Sequence, residues 1–197
     1  RGTAGFAHVS CLAEQAKILR QEAEENNLGV DARNERNKRW YACSLCEQKY
    51  HGVVYCALGW ACWRTYMGRP EADRARQMAV RMLGSGLLKA EHYEEALSVQ
   101  EGELAMRRRI GADEDALLAV QGNLAATYMV LGRHEEALRT ERDVYSGYSK
   151  LYGEENERTL LAANNLASSL FDMKRVEEVR SLLRKTIPVA RRVLGKN

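Results

Sequence analysis

Proline and phenylalanine are scarce in this sequence, which has two residues of each among its 197. The frequent Ala, Leu, Glu and Arg residues lose little rotamer freedom in a helix, so the composition favours helix over sheet. A membrane-spanning run is also lacking, because the longest apolar run, residues 52–63, covers about twelve residues, whereas a bilayer requires roughly twenty. We therefore predict a helical chain with almost no sheet outside the first fifty residues, and a buried helix at the apolar run.

A large excess of charge is missing too. The formal net charge of +3 arises within residues 1–70, which hold ten Lys and Arg against seven Asp and Glu, whereas the remainder holds twenty of each. Neither balance indicates a nucleic-acid surface. The short motifs of hydrolases and of phosphate-cradling loops are absent as well, so the sequence gives no indication of hydrolysis or nucleotide binding.

The cysteines do not make a disulfide framework, because there are five of them at uneven spacing. Cys43 and Cys46 form a CxxC pair, which indicates a metal or redox role in a reducing environment. We therefore expect the cytoplasm or another reducing intracellular compartment. Cys56 and Cys62 lie within the apolar run, where we expect buried thiols that behave as small hydrophobic side chains.

The second half of the chain repeats itself at a shift of 42 residues. The segment GNLA at 122–125 returns as NNLA at 164–167, and RHEEA at 133–137 returns as RVEEV at 175–179. An earlier copy, HYEEAL, lies at 92–97. These copies divide the sequence into three units, at 71–111, 113–153 and 155–195.

Each unit is predicted to be a pair of helices joined at a short break, such as residues 131–133 or 173–175, where glycine can end a helix. In the second helix of the middle unit, apolar residues recur at helical spacing and form one stripe. The stripe residues are Ala137, Val144, Tyr145, Tyr148, Leu151 and Tyr152. Because a single pair of helices cannot bury such a stripe, the units are expected to stack and to leave one surface open.

The middle unit resembles a known repeat family. Leu124, Ala125, Tyr128, Gly132 and Ala137 resemble the signature of tetratricopeptide repeats, and the 42-residue period with GNLA and NNLA is similar to the kinesin-light-chain subfamily. The resemblance implies an all-α, right-handed array of helical hairpins. It also implies that the first helix of each pair lines a groove that holds a protein or peptide.

Within that groove, Asn123 and Asn165 match asparagines that hydrogen-bond an extended peptide backbone in such arrays. An amide side chain suits this role because it both donates and accepts. These asparagines could equally cap turns or bond to neighbouring helices, and the sequence leaves both interpretations open. The other groove residues expected from their positions are Ala126, Met129, Ser168, Phe171 and Asp172.

Two irregularities are expected in the array. Gly84 and Gly86 lie in the first helix of the first unit, where each costs roughly 1 kcal/mol relative to alanine, so this helix is expected to be bent or less stable. Pro188 lies inside the last predicted helix, where it removes one backbone hydrogen bond and is expected to kink the helix near Ile187.

His8 and Cys11 form an HxxC pair that precedes the CxxC pair, with 31 residues between the two pairs. Two-residue spacing lets both members of a pair reach one metal ion, and soft thiolates with imidazole select Zn²⁺ in a tetrahedral arrangement. The sequence therefore predicts His8, Cys11, Cys43 and Cys46 as zinc ligands. The alternative is that His8 caps the helix that starts near Leu12, with buried free cysteines behind it.

The segment GTAGFAHVSCL at 2–12 resembles the latter half of a RING-CH zinc finger, and Trp40, Leu45 and Tyr50 accompany the CxxC pair as in the closing part of that finger. The resemblance implies further ligands upstream of Arg1, so that each pair completes a separate zinc site. Without such a segment, the two pairs could close a single site. The resemblance also implies recruitment of a ubiquitin-conjugating enzyme, and hence ubiquitin-protein ligase activity.

We therefore predict three parts: a partial RING-CH-like zinc module with a long helix at 1–51, a connecting buried helix at 52–70, and three tetratricopeptide-like helix pairs at 71–197. The predicted function is that of an adaptor, which binds a protein or peptide on a helical-repeat surface. One alternative is a RING-CH-type ubiquitin-protein ligase whose repeats select the substrate. Another is a structural subunit of a large complex.

Overall fold

The computed structural model describes residues 8–195, and within that range its regular structure is helical. The one β pairing there is an isolated antiparallel bridge between Ala42 and Lys49. The helices are α1 (Val9–Glu25), α2 (Val30–Asn37), α3 (Gly52–Tyr66), α4 (Arg74–Lys89), α5 (Tyr93–Arg109), α6 (Glu114–Val130), α7 (His134–Tyr152), α8 (Glu157–Asp172) and α9 (Val176–Leu194), with a short 3-10 helix at Lys38–Trp40. The predicted all-α fold is confirmed. The part of the predicted zinc module before His8 and the last two residues of the predicted array lie outside the described residues.

The chain divides into two compact units, one up to Val99 and the other from Gln100 onward. The division falls inside α5, so the first unit holds α1 to α4 and the second holds α6 to α9. The predicted helix pair at 71–111 therefore contributes its first helix to the first unit.

The apolar run of the sequence forms the predicted helix, α3, but this helix is buried only in part, because Val53 and Trp60 are 77% and 37% exposed. Leu58 and Cys62 are fully buried there and Cys56 is 8% exposed, so the prediction of buried thiols in this helix is confirmed. Burial raises the pKa of the Cys62 thiol. No helix in the described range is long and apolar enough to cross a bilayer.

Trp40 lies at the centre of the core of the first unit. Its side chain is fully buried, and its ring meets that of Tyr66 edge to face with centroids 5.9 Å apart, a favoured arrangement for aromatic pairs. At the edge of this core, Arg69 donates to both carboxylate oxygens of Glu24, at 2.9 and 2.8 Å. The hydrogen bond from Arg69 is the main reason that the pKa of Glu24 falls to about 2. This ion pair ties α1 to the loop before α4.

Glycines let α3 and α4 pack closely together. A Cβ atom at Gly86 would lie 3.0 Å from the Cα of Cys56, and a Cβ atom at Gly59 would lie 3.1 Å from the carbonyl oxygen of Met82. Contacts this short leave no room for a side chain in a close-packed interior. α4 is nevertheless one continuous helix, so Gly86 has a packing role that the sequence did not show.

The first helix of each predicted pair ends with the same turn. Glu91, Gly132 and Lys174 occupy equivalent positions in the left-handed region, with φ of 65°, 73° and 57°. The next residue donates its amide to the carbonyl five positions earlier, as in a Schellman motif. These bonds join Leu87 with His92, Tyr128 with Arg133, and Leu170 with Arg175, at 2.9, 2.9 and 2.8 Å. The predicted helix breaks are therefore one repeated turn, although only the middle copy uses glycine.

In the second unit α7 packs against both α6 and α8. Leu118 of α6, Val144 of α7 and Ala162 of α8 share one core cluster with Tyr148. The predicted burial of the α7 stripe is wrong for its last two residues, Leu151 and Tyr152, which are 40% and 44% exposed. Tyr152 instead stacks on Tyr148, with ring centroids 6.2 Å apart. The last turn of α7 therefore adds surface contacts rather than core.

The final helix, α9, runs from Val176 to Leu194 with Pro188 inside it. Proline therefore does not end this helix, although it lacks the amide that the helix would use at that position.

Candidate functional site

α6 and α8 present equivalent faces to solvent in the second unit. The 42-residue shift relates Asn123 to Asn165 and Ala126 to Ser168, and all four are exposed. Residues three and four positions apart lie on one side of a helix, and the opposite side of each helix enters the core. We define the repeat face as Asn123, Ala126, Val130, Leu161, Asn165, Ser168, Phe171 and Asp172.

Three large apolar side chains lie on the repeat face. Phe171, Leu161 and Val130 are 68%, 62% and 51% exposed, so the repeat face offers apolar surface at three positions. Phe171 is a predicted groove residue, whereas Leu161 and Val130 were missed. Extending the predicted strip by one helical turn towards the start of α8 would have found Leu161. Met129, another predicted groove residue, is only partly exposed.

The side-chain amides of Asn123 and Asn165 are exposed. Within residues 8–195, no hydrogen bond reaches either side-chain amide. The structure therefore does not show these asparagines capping turns or bonding to neighbouring helices, which was the alternative interpretation. Both amides are available to donate to and accept from a bound chain.

Polar contacts hold the two helices of the repeat face in place. Arg158 at the start of α8 forms an ion pair with Asp115 at the start of α6. The buried hydroxyl of Thr127 donates to the side-chain oxygen of Gln100 at 2.7 Å, which ties α6 to α5. Because Thr127 and Gln100 are both almost fully buried, this hydrogen bond fixes the orientation of α6.

A second anchor lies in the loop before α8. The carboxylate of Glu154 accepts hydrogen bonds from the Tyr145 hydroxyl at 2.9 Å, from the Ser149 hydroxyl at 2.6 Å and from the Lys185 ammonium at 2.8 Å. These donors belong to α7 and α9, so this carboxylate joins the helices on either side of α8.

Glu141 of α7 is buried behind the repeat face. Its side chain is 8% exposed, and one carboxyl oxygen, Oε2, has no hydrogen-bond partner. Burial raises the pKa of this carboxyl, while a hydrogen bond with Ser169 of α8 acts in the opposite direction. The charge of Asp172 on the repeat face raises the pKa further. The hydrogen bond with Ser169 therefore offsets only part of the effect of burial on the pKa of Glu141.

The CxxC pair lies on a tight turn between the 3-10 helix and α3. The turn is closed by hydrogen bonds from the Cys43 amide to the Gln48 carbonyl at 2.9 Å and from the Glu47 amide to the Cys43 carbonyl at 3.1 Å. The Leu45 amide also donates to the Cys43 sulfur at 3.4 Å. Hydrogen bonds from the backbone of Cys46 and Leu45 lower the pKa of the Cys43 thiol. This turn therefore favours the thiolate, which is the form that binds metal ions.

The HxxC pair lies at the start of α1. His8 is the N-cap residue of this helix, but its side chain makes no capping hydrogen bond. Cys11 and Cys46 are exposed and Cys43 is partly exposed. The alternative in which His8 caps the helix in front of buried cysteines is therefore wrong.

The structure does not bring the HxxC and CxxC pairs together into one site. Among the described residues, no group of three or more His, Cys, Asp or Glu side chains is arranged to hold a metal ion. Each pair on its own offers two donors of the types that Zn²⁺ prefers.

Comparisons with known sequences bear on the second unit. Residues 117–157 and 159–197 match a tetratricopeptide repeat family model. No curated protein sequence is significantly similar to the chain. The resemblance stated for the helix pairs is confirmed for these two repeats.

Comparisons with solved structures bear on the fold. A variant of a kinesin-light-chain-like protein from Podosopora anserina with nearly identical TPR-like repeats aligns with a TM-score of 0.60 and 17% identity, over 98% of this chain and 81% of that chain. A second structure of such a protein from that organism gives a TM-score of 0.58 and 17% identity, over 95% and 78%. BtubC (BKLC) from P. vanneervenii aligns with a TM-score of 0.65 and 14% identity, over 93% and 72%. The chain thus has the fold of a tetratricopeptide-like helical array.

Proposed function

We propose that this chain is a protein-interaction adaptor whose repeat face binds an extended segment of a partner protein. The observation that carries the proposal is the equivalence of Asn123 and Asn165, two exposed side-chain amides on consecutive repeats that make no hydrogen bond to the part of the chain that the structure describes. A repeated pair of such amides suits the repeated pattern of a peptide backbone.

The chemistry of the repeat face indicates which segment it would bind. An extended backbone presents amide and carbonyl groups that the two asparagines can pair with. Phe171 and Leu161 offer apolar surface for the partner's side chains, as aromatic and aliphatic anchors do in interfaces. Asp172 is exposed at the end of α8 and favours a basic residue at that position of the partner.

A selection from a random peptide library on the immobilised full chain tests this proposal. The affinity of a selected peptide is then measured by calorimetry for the full chain and for the variants Phe171→Ala and Leu161→Ala. Loss of a buried apolar side chain costs about 1.5–3 kcal/mol, so each variant is expected to bind about tenfold or more weakly. Val176→Ala is the matched control, because Val176 is an exposed apolar residue, 46% exposed, on α9 outside the repeat face.

The proposal is contradicted if the selected peptides bind equally well to the two repeat-face variants and to the control. It is also contradicted if the selection yields no peptide that the full chain binds saturably.

The adaptor includes, in our proposal, a zinc-binding module at the amino end. His8 with Cys11, and Cys43 with Cys46, would each provide two of the four ligands that a structural zinc site requires. The backbone hydrogen bonds to the Cys43 sulfur support this part of the proposal, because they stabilise the ligand form of the thiol.

Metal content measured by mass spectrometry tests the zinc module. The purified full chain is expected to carry zinc, and Cys43→Ser is expected to lower the zinc content. Cys56→Ala is the control, because this thiol is buried in α3 and is expected to leave the zinc content unchanged. A full chain that stays free of zinc after dialysis against the metal would contradict the module.

The ubiquitin-protein ligase alternative rests on the RING-CH resemblance alone. An autoubiquitination assay with a panel of ubiquitin-conjugating enzymes decides it, because a ligase forms ubiquitin conjugates and a plain adaptor does not. The alternative of a structural subunit predicts instead that the repeat face is already occupied when the chain is purified from its source.

A further inference from the structure

A cavity of about 360 Å³ lies in the first unit, beside the turn that carries the CxxC pair. Its walls come from residues 41–50, from α3 and from α4, so it is built entirely within that unit. Pockets for small ligands typically have about 300–1,000 Å³. The cavity is therefore large enough for a small organic molecule or for one large side chain.

Three cationic side chains line this cavity, Lys49, Arg81 and Lys89, and no acidic side chain lines it. Arg81 and Lys89 lie on the same side of α4, roughly two helical turns apart. Within the described residues, none of the three cations forms an ion pair. Three uncompensated cations around one cavity attract an anion and favour one that carries more than a single charge.

The walls between these cations are aromatic and apolar. Tyr41, Tyr50 and Tyr55 are partly buried around the cavity, and Met78 and Met82 are buried beneath it. Tyrosine rings stack on flat groups, and methionine thioethers make favourable contacts with rings.

Tyr55 also contacts one of the cations. The ammonium of Lys89 lies 4.7 Å from the centroid of the Tyr55 ring, which holds this lysine at the cavity by a cation–π interaction. Burial raises the pKa of the Tyr55 hydroxyl. Tyr55 therefore stays neutral and adds no negative charge that would compete with a bound anion.

We propose that this cavity binds a phosphate monoester joined to a planar ring, with the phosphate at the three cations and the ring among the tyrosines and methionines. A phosphate monoester carries close to two negative charges at neutral pH and has three oxygens that accept hydrogen bonds. Arginine can pair with two of these oxygens at once. The ligand chemistry is shared by a phosphotyrosine side chain and a nucleoside monophosphate. The proposal is independent of partner binding at the repeat face.

Calorimetry on the full chain tests this proposal with phenyl phosphate as the probe. Phenyl phosphate is expected to bind saturably and more tightly than either inorganic phosphate or phenol, because it alone fills both parts of the cavity. Arg81→Gln and Lys89→Gln are each expected to lower its affinity about tenfold, the effect of losing one charge-assisted hydrogen bond. Lys49→Gln, which lies on a different element, is expected to have the same effect.

Arg74→Gln is the matched control. Arg74 is an exposed arginine on α4 that does not line the cavity, so its replacement is expected to leave the affinity unchanged. Circular dichroism of each variant shows whether the helices are retained. Absence of saturable binding, or an equal loss in Arg74→Gln and Arg81→Gln, would overturn the proposal.

Two further probes separate the sources of the ligand. Tighter binding of phosphotyrosine than of adenosine 5′-monophosphate supports a protein source, and the reverse order supports a nucleotide source. Binding of inorganic phosphate as tight as that of phenyl phosphate would overturn the assignment of a planar ring.

Discussion

Replacement of Gly86 by alanine tests the close packing of α3 on α4. The added Cβ atom would lie 3.0 Å from the Cα of Cys56 and 3.3 Å from the carbonyl oxygen of Tyr55, and backbone atoms cannot rotate away. Alanine gains about 1 kcal/mol over glycine in a helix interior, whereas overpacking costs typically about 1–3 kcal/mol. We therefore expect Gly86→Ala to lower the free energy of unfolding of the first unit by about 1 kcal/mol net.

Gly122→Ala provides the matched control in the second unit. Apart from its chain neighbours and the backbone of its own helix, a Cβ atom at Gly122 in α6 would have no atom within 4 Å, so the gain in helix propensity is the only effect expected. This variant is expected to raise the free energy of unfolding by up to about 1 kcal/mol. The sign of the change therefore differs between two glycines that a sequence shows in the same helical context.

Urea unfolding measures both variants. All three tryptophans lie in the first unit, so tryptophan fluorescence follows that unit, while circular dichroism follows the helices of both units. An increase in stability for Gly86→Ala equal to that for Gly122→Ala would refute the reasoning, because it would mean that the backbones of α3 and α4 do not approach as closely as described.

Three further results are expected. The raised pKa of Glu141, caused mainly by burial, means that the folded state holds a proton that the unfolded state has released. The free energy of unfolding should therefore fall as the pH rises from the usual carboxyl pKa through the raised pKa of Glu141. Glu141→Gln should reduce this pH dependence. Equal pH dependence of the free energy of unfolding in the original chain and the variant would contradict the prediction. Lys174→Gly should raise the melting temperature, because lysine at φ 57° costs about 1 kcal/mol that glycine avoids; a lower melting temperature would count against it. In the presence of a chelator and a reductant, iodoacetamide should modify three thiols rapidly and the two buried cysteines of α3 only after unfolding. Rapid modification of all five thiols, measured by mass spectrometry, would contradict this prediction.

The helical pairs were predictable because the information that defines them is local. The turn after α8 places Lys174 where the equivalent turn after α6 has Gly132, so a search for glycine alone would not have predicted the turn after α8. The repeat shift found this turn nevertheless. The close contact of α3 and α4 was not predictable, because it joins residues far apart in the sequence. From the sequence alone, Gly86 is only a residue that destabilises a helix.

The candidate sites also divide into a part that the sequence predicts and a part that it does not. The repeat face follows from helical periodicity, and six of its members were predicted by position. Which of the two interpretations of Asn123 and Asn165 applies depends on tertiary contacts, and the structure was needed to show that their amides lie exposed. The cavity could not be predicted, because Lys49 and Lys89 are forty residues apart in the sequence and no motif links them.

The double variant Asn123→Ala and Asn165→Ala tests the proposed adaptor function most directly, with Asn34→Ala as the control for an exposed asparagine on another helix. Both peptide affinity and the free energy of unfolding are measured on the same samples. If the amides bind a partner, the peptide affinity falls about tenfold while the stability stays equal or rises slightly, because alanine is the better helix former. Unchanged peptide affinity together with a loss of stability would contradict the account, because it would show that the two asparagines support the fold and not a partner.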